Sequence, residues 1–344
     1  MSWPPLWPRA LSTEPLPVGD YRLSADDFYV EECLGFEPEG QGEHLWLWVE
    51  KRDLTTLALA KRVADICSVR PRDIGFSGMK DRQAVTRQWL SVHLPGQEAP
   101  ADINERLQAA SINLLAQGRH PRKLKRGVHR ANRFELRLGG QATEDSALET
   151  RWQRVLERGV PNYFGPQRFG AQGRNLARAT TLLQRGWRKR DDPQGLLLSA
   201  ARSYLFNELL ADRIRQACWD RPIPGDMLML EGSASHFLAE RIDEELLSRA
   251  RHFDVHPSGV LWGTGGLATR DAAVEIEQAL ATRHTKLTAG LEKAGVRMAR
   301  RALRMRVSGA ALQREAGGLR LTFQLPRGGF ATAVLRELME HPTL

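Results

Sequence analysis

An alternation of apolar and polar residues runs through the first third of the chain, stops, and returns only near the end. "HLWLWVE", residues 44–50, sets Leu45, Leu47 and Val49 on one side and Trp46 and Trp48 on the other. "NRFELRL", 132–138, lines up Phe134, Leu136 and Leu138, and "GLRLTFQLP", 318–326, lines up Leu319, Leu321 and Phe323. Successive side chains of a strand point to opposite faces, so a period of two reads as β-structure. Between these stretches the period becomes helical, as in "SYLFNELLADRIRQA", with Leu205, Phe206, Leu209, Leu210 and Ile214 in register. Strand-rich flanks around a helix-rich middle suggest a second domain inserted into the first. The length of 344 residues agrees, being more than one hydrophobic core usually serves.

The remaining elements fit this outline. "DFYVEE" and "TRQWLSVHL" read as strands, the latter through Leu90, Val92 and Leu94. "TTLALAKRVADIC" places Leu57, Ala60, Val63, Ala64 and Cys67 at helical spacing. The middle is mostly helical from about 174 to 218, is interrupted by "PIPGDMLMLEGSASHFL", and continues as amphipathic helices from about 270 to 304. Near the end, Thr332 can cap "AVLRELME". No apolar run approaches the roughly 18–20 residues that span a bilayer. The start, "MSWPPLWPRALSTEPLP", lacks the features of a secretory signal. Cys33, Cys67 and Cys218 match neither a zinc spacing nor a disulfide framework, so the expectation is a reduced, cytoplasmic protein.

Charge points to the partner. The net charge is +9, and "RHPRKLKRGVHRANR", 119–133, carries seven Lys or Arg residues and no acid. A run of like charge repels itself and gains most where phosphates neutralise it. The alternative is a solvated basic loop. Cofactor chemistry finds little support: there is no P-loop, H-E-x-x-H, G-x-S-x-G or paired C-x-x-C. "GTGGLA", 263–268, fits a loose dinucleotide pattern, but position 283 is Arg where an acid is wanted, and a glycine turn before a helix explains it. His252 and His256 are four apart with Pro257 behind them, and His120 and His129 lie among cations, so no metal is expected.

Asp81 is the remaining chemical candidate. "GFSGMKDRQAVTRQW" puts it between Lys80 and Arg82 in a loop between extended segments. Flanking cations favour the ionised carboxylate, which can act as nucleophile or base without a metal. Gly75 and Gly78 would let the backbone present it sharply. Such triplets in turns are also common as solvated charge clusters.

"GMKDRQAVTRQW" resembles the G-x-K-D-x-x-A-x-T-x-Q signature of the TruD family of tRNA pseudouridine synthases. Family-like segments follow in order: "SADDFYVEE" (24–32), "ANRFELRL" (131–138), "PNYFGPQRFG" (161–170) and "FQLPRGGFATAVLREL" (323–338). The likeness covers nearly the whole chain and is weaker across 218–300. It implies an α+β fold with a mixed sheet and flanking helices. The catalytic domain would span 1–157 and 305–344, with a helix-rich insertion at 158–304 and tRNA in the cleft between them.

The family isomerises a uridine in tRNA, typically at position 13, to pseudouridine, and the reaction consumes no cofactor. By the resemblance Asp81 is the catalytic aspartate, either attacking the ribose or removing a ribose proton. Phe28 and Phe330 fall at substrate-contact positions, and Asn132 offers donor and acceptor to a uracil edge. Phe134 stands where other pseudouridine synthases have a tyrosine, and Arg22 at a position that is usually basic. Arg122, Lys123, Lys125 and Arg126 become a phosphate track leading toward Asn132, and Asn162 to Phe164 a structural buttress. tRNA is the partner implied, with no membrane and no obligate protein partner. Two rivals stay open here: a catalytically silent RNA-binding protein, and a nucleotide-dependent RNA modifier using "GTGGLA".

Overall fold

The computed structural model describes residues 7–12 and 14–344. It divides into two compact units. The first is Val18–Asp145 with Ser308–Gly328; the second gathers the described residues up to Pro17, Ser146–Val307 and Gly329–Leu344. Thus the last 16 residues, Gly329–Leu344, go with the middle of the chain, whereas the division expected from the sequence keeps 305–344 together.

The first unit is built on one nine-stranded mixed sheet. Its strands are β1 (Asp20–Tyr21), β2 (Phe28–Cys33), β3 (His44–Arg52), β4 (Ile74–Phe76), β5 (Val85–His93), β6 (Ile112–His120), β7 (Ala131–Gly139) and the hairpin Ser308–Glu315/Gly318–Pro326. The order runs from Ser308–Glu315 through Gly318–Pro326, β7, β2, β5 and β3 to β6; β1 pairs with β7, and β4 with β5. β2 and β5 are parallel, and the other pairs in this sheet are antiparallel.

Directly paired residues share a face. Glu32 faces Asn132, which faces Leu325, and Val30 faces Phe134, which faces Phe323. On β3, Leu45, Leu47 and Val49 turn to the face covered by α1 (Thr56–Ile66) and α2 (Ile103–Ala109), joining Leu59, Val63 and Leu107 in one core. Burying each such side chain contributes about 1.5–3 kcal/mol. α1 starts where Thr55 accepts a hydrogen bond from the Ala58 N–H at 3.1 Å, which satisfies a donor the helix cannot. Leu57 proves to be exposed, and Leu59 occupies the core instead. On the opposite face Trp46 is buried against Leu34 and Leu124, so both faces of the sheet are covered there.

The second unit contains α3 (Leu148–Arg158), α4 (Arg174–Arg185), α5 (Leu196–Arg215), the helices Glu244–Arg251, Asp271–Arg283 and Thr285–Lys293, and a four-stranded sheet. Leu205 and Leu209 of α5 meet Leu183 of α4 and Leu280, Leu287 and Leu291 in its core. The helical expectation for 270–304 fails at its end. Gly295 takes φ +71, a left-handed conformation that stops the helix, and Ala299–Ala302 pair antiparallel with Val255–Leu261. Thr332 does not cap. The helix Ala331–Arg336 begins after Phe330, and Thr332 is buried inside it. Among the described residues no helix is long and apolar enough to cross a membrane.

Candidate active site

The loop joining β4 to β5 carries Asp81, and its two basic neighbours part company. Arg82 is exposed. Lys80 turns inward, where its Nζ lies 2.7 Å from Glu32 Oε2 and both side chains are almost wholly buried. Lys80 also donates its backbone N–H to Thr56 Oγ1 at 2.9 Å, and Thr56 in turn donates to Gln88 Oε1 at 2.9 Å. A second buried lysine, Lys51 of β3, donates to the carbonyl oxygens of Leu54 and Asp81. Burial, with Lys80 adding repulsion, lowers the Lys51 amine to about 8. The main chain around Asp81 is therefore tied to α1 on one side and to β3 on the other, while the Asp81 side chain stays 51% exposed.

The direct counter-cation of Asp81 is Arg22, with Nη2 at 2.8 Å from Oδ2. Arg22 has φ +59, a left-handed conformation that costs a non-glycine residue about 1–2 kcal/mol. That backbone turn lays its guanidinium over the Phe28 ring, 3.7 Å from the centroid, and Gln83 Nε2 donates to its carbonyl at 3.3 Å. Thus Lys80, which adjoins Asp81 in sequence, serves Glu32, and the charge on Asp81 is met from β1's end of the chain.

Gly75 and Gly78 act through their size. Neither has a positive φ. A Cβ on Gly78 would come within 2.9 Å of Lys80 Nζ and 3.1 Å of His129 Cε1; one on Gly75 would meet Leu124 O and Ser91 Oγ, each at 2.4 Å. They let the loop lie close against its buried partners.

His129 is one of those partners. Its Nδ1 lies 2.6 Å from Ser77 Oγ, which also accepts the His129 N–H at 2.7 Å. Burial, with repulsion from Lys80 and Arg327, lowers its pKa to about 4. An unfolded histidine binds a proton near pH 6.5. Between about pH 6.5 and 4 the unfolded chain holds a proton that the folded chain refuses, so stability is lost as pH falls through this window, by up to about 3 kcal/mol. Urea midpoints at pH 7.5 and 4.5 check this: the acid-induced loss shrinks in His129→Gln, and an equal loss in both proteins would contradict it.

Asn132, Phe28 and Phe134 lie on the same sheet face as Glu32. Asn132 is 9% exposed, and its Oδ1 is a buried acceptor with no hydrogen-bond partner among the described residues. Phe28 is buried beneath Arg22, with its ring edge-on to Phe134 at 6.3 Å. Phe134 is buried and stacked on Phe323 at 5.4 Å. Phe330 belongs to the second unit, half-buried, with its ring 6.4 Å from Phe164. Asn162 donates to the Ala302 carbonyl at 2.8 Å, and Asn207 clamps both backbone groups of Phe164 at 2.9 Å, so this stretch is braced internally.

The basic run lies alongside the Asp81 loop. Arg126 sits over the Phe76 ring at 4.4 Å, and the Gly127 N–H donates to the Ser77 carbonyl at 2.9 Å. Arg122, Lys125 and Arg126 are exposed, and no carboxylate pairs with them among the described residues. Lys123 is half-buried and donates to the Arg72 carbonyl.

A cavity of about 570 Å³ in the second unit, lined by Trp7, Tyr163, Phe164, Arg336 and Glu337, is a weaker candidate for chemistry. Its buried carboxylate, Glu337, already accepts the N–H groups of Ala10 and Leu11. Sequence reasoning missed Glu32, Lys51, Thr56 and His129. The only local signal was a charged residue interrupting an apolar strand face, at Glu32 and Lys51.

Comparison with known proteins bears on this arrangement. The family model described as tRNA pseudouridine synthase D (TruD) matches residues 11–190 and 190–338. A protein named tRNA pseudouridine synthase D from Chromohalobacter salexigens is 59% identical over 343 residues, covering 99% of this chain and 98% of its own. Another of that name from Methylococcus capsulatus is 44% identical, covering 94% and 91%. A crystal structure of a protein assigned to tRNA pseudouridine synthase D from Methanosarcina mazei superposes with a TM-score of 0.71 at 19% identity, covering 96% of this chain and 95% of the other.

Proposed function

The chain belongs to the TruD family of tRNA pseudouridine synthases, which isomerise uridine to pseudouridine in tRNA, and from that premise we propose that Asp81 is the carboxylate that carries the reaction here. We place the target at tRNA position 13, as the family resemblance implies. The reaction breaks the N-glycosidic bond, rotates the uracil and rejoins it through carbon 5; the proton that leaves carbon 5 is balanced by one taken up at N1, so composition is unchanged and no redox cofactor or nucleotide energy is needed.

One observation carries the reading: a half-exposed carboxylate on a tethered loop, held by Arg22, which lies over the Phe28 ring on a sheet face whose Asn132 Oδ1 has no partner among the described residues. The tethering lets Asp81 meet a reacting ribose without a reorganisation cost. Arg22 orients it through a charge-assisted hydrogen bond. A base inside folded RNA must be extruded before its glycosidic bond is reached, at a cost of a few kcal/mol. Asn132 Oδ1 offers an acceptor for a uracil N–H, which would satisfy a buried polar atom otherwise left open. Phe28, capped by the Arg22 guanidinium, is the proposed aromatic support on the base side of this face, and Phe134 backs Phe28 from within the core. We assign this work to the cytoplasm, in keeping with the three free cysteines.

Incubating an unmodified tRNA with the purified protein and no additive, then mapping pseudouridine by carbodiimide labelling, tests the assignment. Modification confined to position 13 is expected; modification elsewhere would move the target. The basic run yields a further prediction. Replacing Arg122, Lys123, Lys125 and Arg126 together by Ala weakens tRNA binding and flattens the plot of log affinity against log salt by about 3. An unchanged slope would remove the run from the RNA surface.

A further inference from the structure

The second unit carries a cationic surface that the catalytic machinery does not use. From Arg168 to Arg190 the chain holds seven Lys or Arg residues and no acid. The structure arranges them unequally. Ala179 and Leu183 turn the buried side of α4 into the core. Arg174, Arg178 and Arg185 are spaced by four and then seven residues, so they return to one side of the helix, and all three are exposed. Thr181 lies between them on the same stripe, also exposed. Just past the helix, Arg188, Lys189 and Arg190 are exposed as well.

What distinguishes the three helical cations is that they stand together on one helix face with no carboxylate paired to them among the described residues. Other surface arginines of this unit are either matched, as Arg215 with Asp212, Arg249 with Asp254, Arg251 with Glu244 and Arg283 with Asp212, or scattered singly, as Arg221, Arg241, Arg270 and Arg297 are. Among the described residues, no carboxylate pairs with Arg174, Arg178 or Arg185; the Arg174 Nε reaches only the Ala171 carbonyl, at 3.4 Å. The nearest acid of the segment, Asp191, lies 3.9 Å from Arg190 and lines, with Arg178 and Arg185, a shallow groove of about 380 Å³. Three uncompensated guanidinium groups over about 16 Å of helix repel one another and are stabilised by a linear polyanion. An RNA stem fits that description, since its narrow major groove presents phosphates rather than readable base edges.

We propose that the Arg174–Arg178–Arg185 stripe of α4 is a second RNA-binding surface, one that grips the phosphate backbone of tRNA independently of sequence. The inference rests on the proposed tRNA-modifying function but concerns residues that take no part in its chemistry. It implies that affinity for tRNA is divided between the basic run of the first unit and this stripe of the second.

The test compares three proteins in tRNA-binding titrations from low to high salt, with isomerisation of the same tRNA followed in the wild type. The first variant is Arg174→Gln/Arg178→Gln/Arg185→Gln. The second, Arg215→Gln/Arg249→Gln/Arg251→Gln, removes the same charge from matched positions. The stripe variant should bind about tenfold more weakly near 0.1 M salt and lose about 2–3 from the salt slope, while the matched variant loses less than about 1. Thermal unfolding confirms that each variant is folded. A wild type that binds and isomerises tRNA, beside a folded stripe variant of unchanged affinity and slope, would overturn this inference alone. Equal losses in both variants would also overturn it, by reducing the effect to net charge. A wild type that neither binds nor isomerises tRNA would sink the functional reading with it.

Discussion

Replacing Asp81 by Asn lowers pseudouridine formation at least about a thousandfold while leaving tRNA affinity within about twofold, because a nucleophile or base is lost and no phosphate contact is. Asparagine keeps the size of the side chain and an oxygen that accepts from Arg22, so the 2.8 Å contact survives in weaker form. The Asp81 side chain is half exposed, and the stability change stays within about 1 kcal/mol. The loop itself is held by other groups, Lys51 at the Asp81 carbonyl and Thr56 at the Lys80 N–H, neither of which the substitution touches. Single-turnover rates at saturating tRNA, beside binding titrations, check both halves. A variant with near wild-type rate would remove Asp81 from the chemistry, and one that fails to bind would make it a binding residue.

Breaking the buried Glu32–Lys80 pair has the second-largest effect. Either Glu32→Ala or Lys80→Ala costs about 3–5 kcal/mol in urea unfolding, since each leaves an uncompensated charge where water does not reach. Burial pushes the Glu32 carboxyl above the ordinary range, against the pull of Lys80, so removing Lys80 turns Glu32 toward its protonated form. Replacing both by apolar residues of similar volume, Glu32→Leu with Lys80→Met, recovers most of the stability. Activity follows a different order. Lys80 precedes Asp81 in the chain, so the double variant regains stability without regaining the full rate. Single variants as stable as the wild type would show that the pair is better solvated than its burial indicates.

The strands were readable in the sequence because a period of two follows from pleating alone: Leu136, Phe323 and Val49 are buried as the alternation requires. The insertion of β5 between β2 and β3 was not readable. It is a non-local pairing, with Tyr29 matched to Val85, and no local pattern encodes it. The loop around Asp81 was legible as a motif and opaque as geometry. No periodic pattern runs between "TTLALAKRVADIC" and "TRQWLSVHL", so nothing local says that Lys80 turns in and Arg82 out. The partner that matters, Arg22, is 59 residues away. Gly78 drew attention as a flexible residue, but its role depends on the distance to Lys80 and His129, which only the fold supplies. The helix expected to reach residue 304 failed for a related reason: amphipathic composition past Gly295 did not reveal the strand Ala299–Ala302, which forms by pairing with Val255–Leu261.

The most direct measurement is tritium release from unmodified tRNA carrying [5-³H]uridine, incubated with wild-type protein or Asp81→Asn and with no cofactor added. Formation of the new bond at carbon 5 expels the hydrogen there, so release counts the reaction itself. Release near one equivalent per tRNA by the wild type, and none above background by Asp81→Asn, is the predicted result. Equal release by both proteins, or none by a wild type that binds tRNA, would contradict the account.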